Sequence, residues 1–235
     1  LVDARVLAHL DADEVPQPGE LQACHWLAKT CQRHRVIMMY LSSWRVFSGR
    51  LDRLYSEKES PDAVGEPGLS LLATEQAVAA TCEQYLVLRL GPVFAHRGDN
   101  WLARSLSGLR DRASVSLTAM PHGTPLAAPD AARVVGGMLD QIGVGAEPWG
   151  VFHYTSSDRA EPGDLEEVML AATGQFLDLD SGDLRRETLS DRPPNTTLDC
   201  RKIRDTFAIK QVPWRDAMTA TVKQFFQSNV TAEPR

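Results

Sequence analysis

Two runs of strand length, the continuous apolar Val36–Ser42 (VIMMYLS) and the largely apolar Tyr85–Leu90 (YLVLRL), constrain the fold of this 235-residue chain more than any other feature. Neither alternates polar with apolar residues, which is the pattern of a strand buried on both faces. Between them lie a polar loop from Gly49 to Gly65 and a helical segment. The helix is expected to begin at Pro67, because proline suits the first helical position and disfavours helix at Glu66 before it. It runs to about Cys82, with Leu69, Leu72, Ala73, Ala77 and Ala80 expected on one apolar face. Strand, helix, strand at this spacing implies a parallel pair joined by a right-handed crossover. Ligands of open parallel sheets bind beyond the carboxyl ends of the strands, so the Ser43 hydroxyl, at the end of the first run, lies where a site would be.

Upstream, Val2–Leu10 reads as a short strand entering an acidic loop, Asp11–Glu14, and Pro16–Gly19 break the chain before a helix from Glu20 to about His34. Leu21, Cys24, Leu27, Ala28 and Cys31 fall at helical spacing there, so its two cysteines read as small core residues. Downstream the elements are shorter. They are a helix near Asn100–Arg110, a strand near Ser114–Thr118, a helix over Asp130–Ile142 and a strand over Trp149–Tyr154. A helix opened by Asp164, with Glu167 in capping-box position, and a closing helix over Trp214–Phe226 follow.

A net charge of -6 gives no basic field for a phosphate backbone, so nucleic acid is excluded as the expected partner. No apolar run approaches the roughly 20 residues of a membrane span, and no secretory leader pattern is present. Cys24, Cys31, Cys82 and Cys200 form no CxxC pair, which argues against zinc and against a disulfide framework and places the chain in the cytoplasm. Asp178, Asp180 and Asp183 lack the glycine and glutamate placement of a calcium loop and read as a solvated acidic turn. No metal site is expected.

The stretch Leu41–Gln76 carries more specific information. Ser42, Ser43, Val46, Phe47 and Gly49 match a pattern of the form STDYVFDG. Tyr55 and Glu57 match a following Y-E-D run, and Gly68, Ser70, Leu72 and Glu75 match Y-G-x-[ST]-K-L-x-G-E. Farther on, YLVLRLGPVFAHRGDNWLARSL, GTPLAAPDAARVV, WGVFHYTSSD and DRPPNTTLDCRKIRDTF match later segments in order. Over roughly Val36–Phe226 the chain resembles the dTDP-4-dehydrorhamnose reductase family of extended short-chain reductases. The fold so implied is α/β, with a partial Rossmann-like parallel sheet carrying helices on both faces and a smaller α/β C-terminal substrate lobe. Residues 1–110 are expected to form the C-terminal part of the nucleotide-binding domain and residues 111–235 mainly the substrate lobe, the two intertwining. The first residue is Leu and no GxGxxG occurs, so the chain is expected to lack the first portion of such a protein, where a glycine turn holds the cofactor pyrophosphate.

The resemblance implies NADPH or NADH as cofactor and a nucleotide-sugar ligand whose 4-keto group is reduced. In the family a tyrosine protonates the nascent oxyanion and a lysine one turn later favours tyrosinate. Those positions hold Pro67 and Leu71 here, and of the catalytic set only Ser43 remains. Trp44 and Arg45 stand where the family tends to carry Asp–Tyr, and Leu90, Gly91 and Pro92 where it carries Thr-Ser-Trp. Trp44 is a candidate to stack on a base or sugar, or else a packed aromatic. Arg45 is a candidate for a phosphate or carboxylate, or else an ion-paired surface residue. Arg192 and Asn195 read either as pocket residues for the nucleotide-sugar or as a loop clasp. Tyr55 lies twelve residues before Pro67 but already matches the family's loop, so it is not expected to act as a replacement acid.

Two readings follow. The leading one is a sugar-nucleotide-binding member of the family with impaired catalysis, binding or regulatory in role like the family's noncatalytic branch, the regulatory β-subunit of methionine adenosyltransferase. It would act as a homo-oligomer or with a protein partner. The alternative is an active NAD(P)H-dependent reductase of a nucleotide-linked 4-keto sugar that uses another proton donor.

Overall fold

A computed structural model describes residues 1–5, 18–51, 53–111, 115–116, 123–161, 163–179, 184–185 and 195–230. The elements run β1 (Val2–Asp3), α1 (Pro18–His34), β2 (Met38–Ser43), a 3-10 turn (Trp44–Val46), α2 (Glu66–Thr81), β3 (Tyr85–Leu90) and β4 (Val93–Phe94). They continue with α3 (Trp101–Arg110), β5 (Val115–Ser116), β6 (Leu126–Ala127), α4 (Ala128–Gly143), β7 (Gly150–Tyr154), α5 (Asp164–Thr173), β8 (Leu184–Arg185), α6 (Arg201–Phe207) and α7 (Arg215–Val230).

The main sheet has the order β1-β2-β3-β7, and each pair in it is parallel. Apolar side chains dominate both of its faces, as the runs required. Tyr40, Met38 and Val87 turn to one face and pack with Cys24, Ala28, Cys31, Leu71 and Val78 of α1 and α2. Met39, Leu41, Leu86, Leu88 and Phe152 turn to the other, where α4 and α6 contribute Val134, Met138, Ile203 and Phe207. The sheet is thus covered by helices on both sides. A separate apolar cluster joins α3, α5 and α7 through Leu102, Leu106, Leu165, Met169, Met218 and Val222. The chain crosses between the two regions, since β7 enters the main sheet after α3 has packed in the second cluster.

Several local expectations are corrected. The described part of the first strand is Val2–Asp3, with residues 6–17 outside the described residues. Glu66 is already helical and Gly65 is the N-cap, so the proline occupies the second helical position, also within the first turn that needs no N–H. The buried face of α2 is Gly68, Ser70, Leu71, Thr74, Glu75 and Val78, not the expected Leu69 face, and Leu69 is 48% exposed. The reason is polar: Glu75 must reach partners inside the sheet, which rotates the helix away from its most apolar stripe. At α5 the N-cap is Gly163, with no side-chain cap. Asp164 is the first helical residue and accepts instead from the Glu161 N–H at 3.1 Å and from Arg215 Nη2 at 3.0 Å, so no capping box forms.

Candidate functional site

β2 ends in two serines that point to opposite faces of the sheet, as pleating dictates. Ser43, the last strand residue, lines a cavity of about 560 Å³ beyond the carboxyl ends of β2 and β3. Trp44 lines the same cavity, together with Leu90, Gly91 and Pro92 from the end of β3 and Ala131 of α4. The Ser43 oxygen caps the 3-10 turn by accepting the Arg45 N–H at 3.3 Å. Gly91 is fixed by close approach, since a Cβ there would stand 2.6 Å from the Thr124 carbonyl oxygen and 2.9 Å from Thr155 Cγ2. The mouth carries Arg97 and Asp99.

Ser42 faces the α2 side, and there the sheet carries a polar row. Register sets Ser42 beside Arg89 and Arg89 beside His153 across three strands. Glu75 of α2 closes the row: Ser42 Oγ donates to Glu75 Oε1 at 2.5 Å, and Arg89 Nη2 donates to Oε2 at 2.6 Å. The Arg89 guanidinium also lies 5.1 Å from the Phe47 ring centre. His153 Nδ1 lies 3.1 Å from the Tyr55 carbonyl oxygen, which can only accept, so the proton sits on Nδ1 and Nε2 faces Arg89 Nη1 at 3.4 Å. Burial, reinforced by the Arg89 charge, pushes the imidazole down to about 3. The Glu57 carboxylate accepts the His153 N–H at 3.0 Å, and its own burial raises its pKa. Lys202 Nζ donates to the Val151 carbonyl at 2.6 Å, so two charged side chains occupy the outer edge of β7.

This row was not foreseen as a unit. The signal was present: an arginine inside an otherwise apolar strand has to meet a buried partner. Glu57, Glu75 and His153 all lay in matched segments without a role attached.

The remaining candidates scatter. Arg45 stacks at 5.5 Å over Trp44 and does not line the cavity. Asn195 is 5% exposed and is spent on the chain itself. Its Nδ2 donates to the Leu51 and Arg53 carbonyls at 2.9 and 3.0 Å, and its Oδ1 accepts from Thr197 N–H and Oγ1 at 3.1 and 2.6 Å. Arg192 lies outside the described residues, as do Asp180 and Asp183. Pro67 and Leu71 sit one turn apart on α2. Leu71 is fully buried in the same apolar cluster as Val46, Phe47 and Tyr55, and neither lines the cavity.

Tyr55 is 2% exposed, stacks on Phe47 at 4.5 Å and accepts the Leu51 N–H at its hydroxyl at 3.0 Å. The Tyr154 hydroxyl donates to Asp130 Oδ2 at 2.8 Å. Among the described residues no tyrosine or lysine side chain reaches the cavity. A nicotinamide-dependent ketone reduction uses a proton donor beside the reacting oxygen, and of the hydroxyl-bearing side chains the lining holds Ser43. Among the described residues no group of three or more His, Cys, Asp or Glu side chains is placed to hold a metal, and no helix is long and apolar enough to cross a membrane.

Comparison with known proteins agrees with this architecture. The chain is 23% identical over 206 residues to a dTDP-4-dehydrorhamnose reductase of Aggregatibacter actinomycetemcomitans, covering 84% of this chain and 70% of that one. It is 28% identical over 211 residues to a probable low-salt glycan biosynthesis reductase of Haloferax volcanii, covering 85% and 67%. The crystal structure of dTDP-4-dehydrorhamnose reductase from Bacillus anthracis in complex with NADP superposes with a TM-score of 0.72 at 15% identity, covering 87% of this chain and 71% of that one. The sequence pattern of the RmlD substrate binding domain matches residues 18–227, and the chain belongs to that family.

Proposed function

We propose that this protein binds a nucleotide-linked sugar in the cavity beyond β2 and β3 and that its reductase chemistry is weakened or lost. One observation carries the reading. Ser43 lines a ligand-sized cavity at the place a parallel sheet reserves for ligands, while the two neighbouring catalytic positions hold Pro67 and the core residue Leu71. Ser43 is the surviving member of the catalytic set, Trp44 forms part of the wall, and Asn195 clasps the loop from 49 to 53 against the segment that follows it. The relatives' names and the NADP in the Bacillus anthracis structure support a nicotinamide cofactor and a sugar nucleotide as the ancestral pair of ligands. Four buried free thiols suit a reducing compartment, and the cytoplasm is the proposed location.

The test joins binding to turnover. Calorimetric titration with dTDP is expected to saturate, whereas NADPH oxidation in the presence of dTDP-4-dehydrorhamnose is expected to run about 10²- to 10⁴-fold below the reductases, the usual worth of a positioned acid. Turnover at their rate would refute the weakened chemistry and establish the active reductase. Absence of dTDP binding would refute the ligand.

A further inference from the structure

The cavity wall formed by Leu41, Leu90, Pro92, Phe94, Ala131 and Val135 presents no polar side-chain atom. Two main-chain groups of the loop that borders it, the Gly91 N–H and the Pro92 carbonyl, are engaged. The Gly91 N–H donates to the Tyr154 carbonyl at 3.2 Å, and the Leu126 N–H donates to the Pro92 carbonyl at 2.7 Å. Asn100 also lines the cavity, but its amide is consumed locally. Oδ1 accepts the N–H groups of Ala95 and Ala103 at 3.3 and 3.2 Å, and Nδ2 donates to the carbonyls of Arg97 and Gly98 at 3.0 and 3.3 Å. All four of its hydrogen-bonding positions are then filled. The Ser43 hydroxyl and the Trp44 indole N–H remain. Ser43 is 6% exposed, its oxygen accepts the Arg45 N–H, and its proton is available to a ligand oxygen. At the mouth, Asp99 is paired with Arg104 Nη1 at 2.5 Å, while Arg97 is exposed and forms no ion pair among the described residues.

We infer that the cavity selects a six-membered ring poor in hydroxyl groups, with one oxygen accepting from Ser43 and a phosphate against Arg97, and that it discriminates against a fully hydroxylated hexose. The inference rests on the reading of this cavity as the ligand site. A hexose brings several hydroxyls out of water, and away from the mouth this wall offers side-chain donors only in Ser43 and Trp44; further hydroxyls against the apolar part would be left unpaired. A ring that keeps one oxygen and otherwise presents carbon meets matching carbon on every side. A volume of about 560 Å³ accommodates such a ring together with a phosphate-linked group.

Three phosphates separate the contributions. The whole chain is titrated, by ligand-observed and protein-observed NMR, with cyclohexyl phosphate, glucose 1-phosphate and inorganic phosphate, and in parallel with dTDP. Cyclohexyl phosphate is expected to bind at least about tenfold tighter than glucose 1-phosphate, one decade being the scale of a single unpaired buried hydroxyl. Ala132→Phe, which projects a ring into the cavity, is expected to abolish that preference. Arg97→Gln, at an exposed position that leaves the fold intact, is expected to weaken both ring phosphates together.

Equal or tighter binding of glucose 1-phosphate overturns the inference, as does inorganic phosphate matching cyclohexyl phosphate, or a cyclohexyl preference that survives in folded Ala132→Phe. Saturable dTDP binding with no cyclohexyl preference overturns this inference and leaves the nucleotide-sugar reading standing. A cyclohexyl preference without dTDP binding does the reverse. Binding of none of the four overturns both.

Discussion

Glu75 and Arg89 meet as a charge pair between α2 and the main sheet, with Nη2 2.6 Å from Oε2 and each side chain 5% exposed. The pair is completed by the Ser42 hydroxyl on one oxygen and by a second guanidinium nitrogen, Nε, 3.0 Å from that same oxygen. Ion pairs at this depth are held by their hydrogen bonds, because removing either partner leaves an uncompensated charge away from water. The pair sets the rotation of α2, and with it which residues of the matched segment face the core.

Arg89→Leu is therefore expected to cost about 3–5 kcal/mol in urea unfolding, the typical penalty for stranding one member of a buried pair. The double variant Glu75→Leu/Arg89→Leu is expected to recover most of that loss, because it removes both charges and leaves apolar volume. A double variant as unstable as the single one would show that Ser42 and His153 depend on the charges themselves.

His153 gives the fold a pH dependence of known sign. Its folded pKa is held at about 3, against an ordinary 6.5, so below 6.5 the unfolded chain binds a proton that the folded protein refuses. Stability from this group is complete above about 6.5 and declines as pH falls toward 3, at a slope approaching about 1.4 kcal/mol per pH unit. Glu57, with its raised pKa, acts in the opposite sense, and Asp199, held low by Arg201, adds to the decline. The clean readout is the difference between wild type and His153→Gln in urea midpoints from pH 7 to pH 4, where the variant is expected to show the flatter profile. Parallel profiles would mean that the imidazole titrates in the fold as it does in the unfolded chain.

How much of this was legible follows from the kind of signal each element carries. β2 and β3 were readable because a strand buried on both faces is a nearly continuous apolar run, and Ser43, expected past the end of its strand, lines a cavity there. The face of α2 was misread because the expected stripe is the more apolar one, yet Leu69 on it is exposed and Leu72 only partly buried against the core, and the decision was made by Glu75 and Arg89, which meet only across the fold. Asn195 was singled out by its motif, yet nothing in the sequence could indicate that its partners were the carbonyls of Leu51 and Arg53. The apolar wall of the cavity needed the ends of β2 and β3, β4 and α4 to be brought together, which no local pattern encodes.

Gly68 reverses a familiar expectation. Alanine for glycine inside a helix ordinarily stabilises by about 0.8–1.0 kcal/mol. Here a Cβ would stand 2.3 Å from the Arg45 carbonyl oxygen, so either α2 or the turn that carries Trp44 must move. Gly68→Ala is expected to lower stability by about 1–3 kcal/mol, as overpacking does, and to alter the fluorescence of Trp44. A stabilised Gly68→Ala would mean that the helix and the turn are not in rigid contact.

Asn195→Ala separates a clasp from a ligand contact. All four polar contacts of this side chain are internal, and two backbone carbonyls would lose their donors. The expected loss is about 1–3 kcal/mol of stability, with ligand affinity unchanged when measured well below the unfolding transition. A weaker ligand with stability intact would place Asn195 at the pocket instead.

The two positions matched to the family's tyrosine and lysine give the last test. Leu71 is fully buried among apolar residues on α2, so Leu71→Lys would put an ammonium group away from water on a helix face whose one carboxylate, Glu75, is already paired with Arg89. Such a lysine is expected to be driven toward its neutral form by desolvation and to cost several kcal/mol, on the order of 3–5. Pro67 is only half-buried, and Pro67→Tyr alone is expected to be tolerated. If the pocket still holds its ancestral geometry, Pro67→Tyr/Leu71→Lys should raise NADPH-dependent turnover despite lower stability, because restoring the acid is worth about 10²- to 10⁴-fold. The apolar wall around Leu90, Gly91 and Pro92 argues for the other result: a destabilised double variant whose turnover does not rise. Urea unfolding and steady-state turnover on the same preparations distinguish the two, since a rise in rate would show that the substituted pair alone had silenced the site.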